Sequence, residues 1–198
     1  MIIVKLVGGL GNQLFQYASA RHLAQINKTD LKLDLSEFQT YGLHRYSLNH
    51  LNIIESIATE SDFRLVNEFK ERHFHFDANY KSIGDDLLLR GYWQSEKYFI
   101  DISTLIRNEF QVKTAISDRG NEVAMLIKEC NSVSLHIRRC DYKQGSYSDQ
   151  ILDVLNIDYY INVLEKLGEE EKNFKIFVFS DDPRWVQTNL KLGCAAVC

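Results

Sequence analysis

The sequence predicts an α/β protein with two parallel-sheet units. Three observations carry that expectation. Short β-branched runs such as "IIVKLV" and "FKIFVFS" have the near-continuous apolar character of strands buried on both faces. Each is followed by a helical pattern. The glycine cluster "GGLG" joins the first strand directly to the first helix.

Residues 2–7 predict the first strand, and Gly8, Gly9 and Gly11 the loop after it. Between Asn12 and Ile26, Leu14, Phe15, Ala18, Leu23 and Ile26 recur at helical spacing. "LKLDL" (31–35) alternates as a second strand, closing a β-loop-α-β unit. Residues 36–60 have no clear period. A short helix is expected over 61–69, a strand over "HFHFD" (73–77), a strand within 86–99 leading to an aromatic-rich loop, and a helix over 104–112. A second amphipathic helix follows, with Ser117 or Asp118 as its cap. "SVSLHIRR" (132–139) reads as a buried strand, 158–170 as a helix and 174–180 as another strand. "DPRWVQTNLKLG" starts a helix with Asp182 at the cap and Pro183 in the first turn, and Gly193 is its expected stop. The expected division is residues 1–115 and 116–198. Only two strands are legible in the second unit, a thin sheet for a domain.

With 198 residues, 45% hydrophobic and 25% charged, the chain can bury a real core. A net charge of −4 argues against generic nucleic-acid binding. No apolar run approaches the roughly 18 residues of a membrane-crossing helix, and "MIIVKLVGG" lacks signal-peptide features. A cytoplasmic protein is expected, its four cysteines free thiols.

Two regions carry chemistry. A strand, a glycine loop and a helix N-terminus together suit an anion, because backbone N–H groups and the helix dipole point that way. "GGLGNQ" lacks the Lys-Ser/Thr ending of a Walker loop. It departs from GxGxxG at Leu14, although Asp34 stands about where a dinucleotide fold places its ribose acid. A turn with no ligand and an NAD(P)-binding oxidoreductase both stay open on the loop alone. Asn12 and Gln13 are either a polar helix start or ligand donors.

The second region is the pair of strand tips. "LHIRRCDY" delivers His136, Arg138, Arg139 and Asp141 where ligands gather in open α/β sheets. His136 and Arg138 share one strand face, with Arg139 opposite. A guanidinium there is a fixed fork for a phosphate, and Asp141 is placed to anchor Arg139 or the loop. "FVFSDDPRW" repeats the logic with Ser180, Asp181 and Asp182. Asp182 is explained by capping, which leaves Asp181 as the freer acceptor for base or sugar donors. Adjacent carboxylates also suit a divalent cation. A zinc site from His136 and Cys140 lacks further ligands at suitable spacing. Tyr92, Trp93, Tyr98 and Phe99 are sugar-stacking candidates or core aromatics, and His73 with His75 has too few companions for a metal.

Taken in order, "GGLGNQLFQYA", "HIRRCDY" and "FVFSDDPRWV" resemble the bacterial α-1,2-fucosyltransferases, glycosyltransferase family 11. The resemblance runs over essentially the whole chain. It implies a GT-B-like pair of Rossmann-like domains, the first on the acceptor side and the second binding the GDP-sugar. It also implies inverting transfer of fucose from GDP-fucose to the 2-hydroxyl of a galactose-containing glycan, with no cofactor and no obligatory metal. By the same resemblance Arg138 grips the pyrophosphate and His136 lines the nucleotide pocket, beside Arg139 and Ser180. Asp181 or Asp182 reads guanine, and Gly8, Gly9, Gly11 and Asn12 border the sugar-phosphate cleft. Arg138 and Asp141 are the catalytic candidates.

Cys140 stands where the family usually has Gly, and the family continues beyond the second aspartate motif. A truncated chain with an incomplete second domain is therefore expected, and with it the alternative of an inactive GDP-binding fragment. Lipid-linked acceptors would give peripheral contact with the inner face of the membrane, although no basic amphipathic helix argues for it.

Overall fold

A computed structural model describes residues 1–40, 42–139, 155–170, 173–190 and 195–197. They group into two units, Met1–Ala115 and Ile116–Cys198.

The first unit is built on a four-stranded, all-parallel sheet in the order β2-β1-β4-β3. Its strands are β1 (Ile2–Lys5), β2 (Leu31–Asp34), β3 (Asn67–Lys70) and β4 (Leu87–Arg90). Central β1 pairs Val4 with Leu33 on one side and Leu89 on the other. Its residues Ile2, Ile3 and Val4 have no exposed surface, as a strand flanked on both edges and covered on both faces requires.

Helix α1 (Leu10–Asn27) connects β1 to β2. Its small residues Ala18, Ala20 and Ala24 are buried and let its backbone approach the sheet. The helix ends at Lys28 in the left-handed region, whose N–H returns to the Ala24 and Gln25 carbonyls. Two single turns, α2 (Glu37–Thr40) and α3 (Glu60–Phe63), and the helix α4 (Ser103–Glu109) complete this unit. Tyr80, Trp93 and Tyr98 form a buried aromatic cluster with ring centroids 4.8–5.7 Å apart.

Helix α4 is tied to α1 through Glu109. Its carboxylate accepts from the Tyr17 hydroxyl at 2.7 Å and from Arg21 Nε at 3.1 Å. Burial, then the Glu109 bond, push the Tyr17 hydroxyl well above its ordinary pKa, so it stays a proton donor.

The second unit opens with α5 (Asp118–Lys128), capped by the Ser117 hydroxyl accepting from the Gly120 N–H. Strands β5 (Ser132–Ile137), β6 (Lys175–Ser180) and β7 (Ala195–Val197) form a parallel sheet in the order β5-β6-β7. Helix α6 (Ile157–Glu170) precedes β6 and α7 (Pro183–Asn189) follows it. Leu135, Ile137, Tyr160, Leu164, Ile176, Val178, Val186 and Leu190 make its core.

Four expectations are corrected. The segment 61–69 is not one helix. Thr59 and Asp62 close a capping box that supports only Glu60–Phe63, and Asn67–Lys70 is captured as β3 by pairing with β4. Residues 73–77 form no strand. His73 and His75 stack ring on ring at 3.6 Å, and Phe76 packs on Tyr98. Gly11 lies inside the first turn of α1 rather than in the loop. The second unit has a third strand, β7, whose three residues, two alanines and a valine, are too short a run to carry a strand signal. Among the described residues no helix is long and apolar enough to cross a membrane. Cys130 is a free thiol; Cys140, Cys194, Cys198 and the expected stop at Gly193 lie outside the described residues.

Candidate active site

The glycine loop leaves β1 and enters α1 with an unusual set of supports. Gly8 has φ +76°, a conformation that favours glycine, and a Cβ there would lie 2.6 Å from Asn12 Nδ2, so the Asn12 side chain would have to move. Gly9 is the helix cap in extended geometry and has no side chain to close the first turn. The loop is held from below by two buried glutamines one helical turn apart. Gln13 Nε2 donates to the Gly8 carbonyl at 2.8 Å and the Arg45 carbonyl at 2.9 Å, and its Oε1 accepts from the Ser47 N–H at 3.0 Å. Gln16 Oε1 accepts from the Val7 N–H, and its Nε2 donates to the Gly91 carbonyl, each at 3.0 Å.

Gln13 is thus part of the scaffold, not a ligand donor. Asn12 is half-buried, and its Oδ1 accepts from Gln94 at 2.7 Å. Asp34 is buried with its carboxylate on the Ser36 N–H at 2.9 Å, a turn contact rather than an open ribose acid.

In the second unit, β5 and β6 run in register with His136 beside Phe179 and Ile137 beside Ser180. Ile137 is buried while His136 and Arg138 are exposed, so the last two share the outer face of the strand tip, as the alternation requires. Arg139 turns the other way. Its backbone N–H donates to Asp181 Oδ1 at 2.8 Å, and its guanidinium lies 3.7 Å above the Trp185 ring. This stack joins the end of β5 to the first turn of α7.

Asp182 Oδ1 accepts from the Trp185 N–H at 3.1 Å and caps α7, while the Ser180 hydroxyl accepts from the Asp182 N–H at 3.0 Å. Asp181 is therefore not a spare carboxylate: one oxygen already fixes the backbone that carries the arginines. Arg138, Arg139, Ser180, Asp181 and Asp182 gather at one end of one sheet. Asp141 lies outside the described residues. Among the described residues no three metal-ligating side chains gather.

Sequence reasoning passed over Gln16, Trp185 and Glu71. Glu71 Oε2 accepts from the Tyr92 N–H at 2.7 Å and Oε1 from the Trp93 N–H at 3.1 Å. It thereby holds Trp93 at φ +53°, a conformation a bulky residue keeps only when its surroundings impose it. The signal for Gln16 was present: two glutamines three apart on the buried face of a helix must satisfy something inside.

The chain matches Glycosyl transferase family 11 along residues 1–198. It belongs to glycosyltransferase family 11. It is 31% identical to an alpha-1,2-colitosyltransferase of Escherichia coli, an alignment covering 93% of this chain and 70% of that protein. It is 27% identical to the O-antigen biosynthesis glycosyltransferase WbnK of Escherichia coli, over 92% of this chain and 73% of that one. Among solved structures, the NodZ alpha-1,6-fucosyltransferase soaked with GDP-fucose matches with a TM-score of 0.55 at 14% identity, covering 100% of this chain and 77% of that one. That likeness is one of fold, and it agrees with the GT-B-like α/β class. Membership in a glycosyltransferase family, with Asp34 engaged in a turn, replaces the oxidoreductase reading.

Proposed function

We propose that this glycosyltransferase moves fucose from GDP-fucose to the 2-hydroxyl of a galactose-containing glycan, inverting the anomeric centre and needing no metal. The observation that carries the reading is the strand-tip cluster of the second unit, in which the Arg139–Asp181 bond fixes the backbone next to exposed Arg138. The alpha-1,2 linkage named for the Escherichia coli relative supports attack by a 2-hydroxyl.

Inversion takes one in-line displacement. The bond from C1 of the sugar to the phosphate oxygen breaks as the acceptor oxygen bonds to C1. The electron pair leaves with GDP, and the acceptor proton passes to a base. Charge at C1 resembles an oxocarbenium ion, as in glycoside hydrolysis. Negative charge grows on the departing diphosphate, and the Arg138 guanidinium is the group we assign to it. His136 shares that face and lines the nucleotide pocket in this reading. Asp181 reads guanine in this reading, and Asp182 adds to the same wall while capping α7. Gly8, Gly9, Gly11 and Asn12 border the sugar-phosphate side. The acceptors we envisage are lipid-linked glycans met at the inner face of the membrane by a cytoplasmic protein.

The test is transfer by the 198-residue chain, read as labelled product from GDP-fucose and lactose, with GDP binding followed by calorimetry. Arg138→Ala should lower turnover about 10²–10³-fold, the usual loss for one donor to a developing oxyanion. EDTA should leave turnover unchanged. A wild-type chain that fails to bind GDP refutes the reading. Binding without transfer identifies the inactive-fragment alternative. Transfer from a colitose donor in place of the fucose donor would correct the sugar and keep the mechanism.

A further inference from the structure

Gln94 has no part in the mechanism above, yet it holds a side chain that stands over the glycine loop. Its Nε2 donates to Asn12 Oδ1 at 2.7 Å. The other end of the same amide, Asn12 Nδ2, lies over Gly8, 2.6 Å from where a Cβ of that residue would be. The Asn12 amide therefore has a set polarity, with its carbonyl towards Gln94 and its NH2 over the turn.

This polarity runs against what a helix start prefers. Asn12 is the third residue of α1, the position from which a side-chain oxygen can reach back to the N-cap N–H. Asp62 holds the same position in α3, and its carboxylate accepts from the Thr59 N–H at 2.7 Å. The positive end of the helix dipole favours the same inward turn of an oxygen. Asn12 instead gives its oxygen to Gln94, and Gly9 has no side chain to take up the role. An NH2 group thus stands over the loop in place of a carbonyl.

Gln94 sits on a fixed segment. The Gly91 carbonyl accepts from Gln16 Nε2 at 3.0 Å, and the Tyr92 and Trp93 N–H groups donate to Glu71 at 2.7 and 3.1 Å. The Ser95 N–H donates to the Trp93 carbonyl at 2.8 Å. Gln94 itself is exposed, and an exposed glutamine gives up rotamer freedom to hold one bond. A surface bond between two neutral amides adds little to stability. Its consequence lies in which end of Asn12 is presented.

We propose that Gln94 is a positioning residue for the sugar donor. It fixes the Asn12 amide so that Nδ2 donates to an oxygen at the donor's phosphate–sugar end above Gly8. Without Gln94 the amide rotates and opposes that oxygen with its own carbonyl. The proposal rests on the donor reading of the glycine loop given above.

The test is calorimetry on the 198-residue chain with GDP-fucose and with GDP. Wild type, Gln94→Ala and Gln94→Glu are compared, and both changes are repeated in an Asn12→Ala background. Glutamate is nearly isosteric but only accepts, so it draws Nδ2 to itself and turns Oδ1 over Gly8. Gln94→Glu should weaken GDP-fucose at least about tenfold, because it exchanges a donor for an opposed oxygen. Gln94→Ala, which leaves the amide free to rotate, should weaken it less. A matching loss for GDP assigns the oxygen to the diphosphate, and a loss for GDP-fucose alone assigns it to the fucose. In the Asn12→Ala background neither change should matter by more than about twofold, since the pair no longer exists. Gln94 is exposed, so its variants should melt with the wild type. An alanine variant as impaired as the glutamate one overturns the proposal, because glutamate can still bond Asn12 and only a lost structural bond would rank them so. A Gln94→Glu loss that persists without Asn12 also overturns it, as the mark of added charge alone. So does a Gln94→Glu chain that binds as the wild type does. A wild type that binds neither ligand refutes the donor reading, and this assignment falls with it.

Discussion

Gln13→Met removes the main support of the glycine loop at nearly constant side-chain length. Gln13 has no exposed surface, and its amide serves three backbone groups: the Gly8 and Arg45 carbonyls and the Ser47 N–H. A buried group left without its partner costs about 1–3 kcal/mol. These three bonds are only part-buried, so the lower end applies and the sum is about 3 kcal/mol. Burying the more apolar methionine returns up to about 1 kcal/mol. The net loss is then about 2–3 kcal/mol, a large part of a typical domain's stability. Gln16→Met breaks two such bonds and should cost about 1–2 kcal/mol by the same accounting. The assay is urea unfolding in a Trp185→Phe background, where emission comes from Trp93 alone because the chain has two tryptophans. With a slope of about 2 kcal/mol per molar urea, Gln13→Met should lower the midpoint by about 1–1.5 M. A shift below about 0.3 M at an unchanged slope would show that water replaces the lost bonds, and would refute the view of Gln13 as a loop support.

Tyr17→Phe should lower the stability of the first unit by about 2 kcal/mol in the same assay, because it leaves Glu109 and the Ile54 N–H each short of a partner. Asp182→Ala should destabilise the second unit by about 1 kcal/mol through loss of the α7 cap, and Asp182→Ser should recover most of it, read by Trp185 emission. The Asp62 carboxyl, bonded to Lys32 and to the Thr59 N–H and hydroxyl, titrates at about 2, below the ordinary value near 3.9. Its contribution is complete above about pH 4 and fades as pH falls towards 2, so the stability difference between wild type and Asp62→Asn should shrink over that window in pH-dependent urea titrations.

The elements that were legible in the sequence are those where local and tertiary demands agree. "IIVK" is β-branched, apolar and flanked by a glycine turn, and as β1 it is paired on both edges. The α7 start was equally plain, because an aspartate followed by proline satisfies both capping and first-turn geometry, and Asp182 caps as expected. Where the demands conflict, the pattern misled. "NEFK" is mostly exposed and carries no strand period, yet β4 offers a parallel edge and takes it as β3. "HFHFD" has a flawless alternation but pairs with no strand. Its side chains find other uses, Phe76 against Tyr98 and His73 against His75.

The candidate site divides along the same line. Residue type and position at a strand end placed His136, Arg138, Arg139 and the two aspartates, because a charged cluster after a buried run has few structural reasons to exist. What could not be read was how each carboxylate is employed. Asp181 looks spare in one dimension, and only the register of β5 against β6 brings it to the Arg139 N–H, 42 positions earlier in the chain. Glu71 is invisible for the same reason: it stands in an irregular stretch, and its two backbone donors arrive from residues 92 and 93. Both are carboxylates that accept from non-local backbone N–H groups, and each fixes a segment that carries an exposed side chain, Arg138 in one unit and Tyr92 in the other. If that is their role, replacing either acid with its isosteric amide should harm binding less than alanine does, since the amide oxygen still accepts one N–H. A group needed only for its charge would show the amide and alanine variants equally impaired.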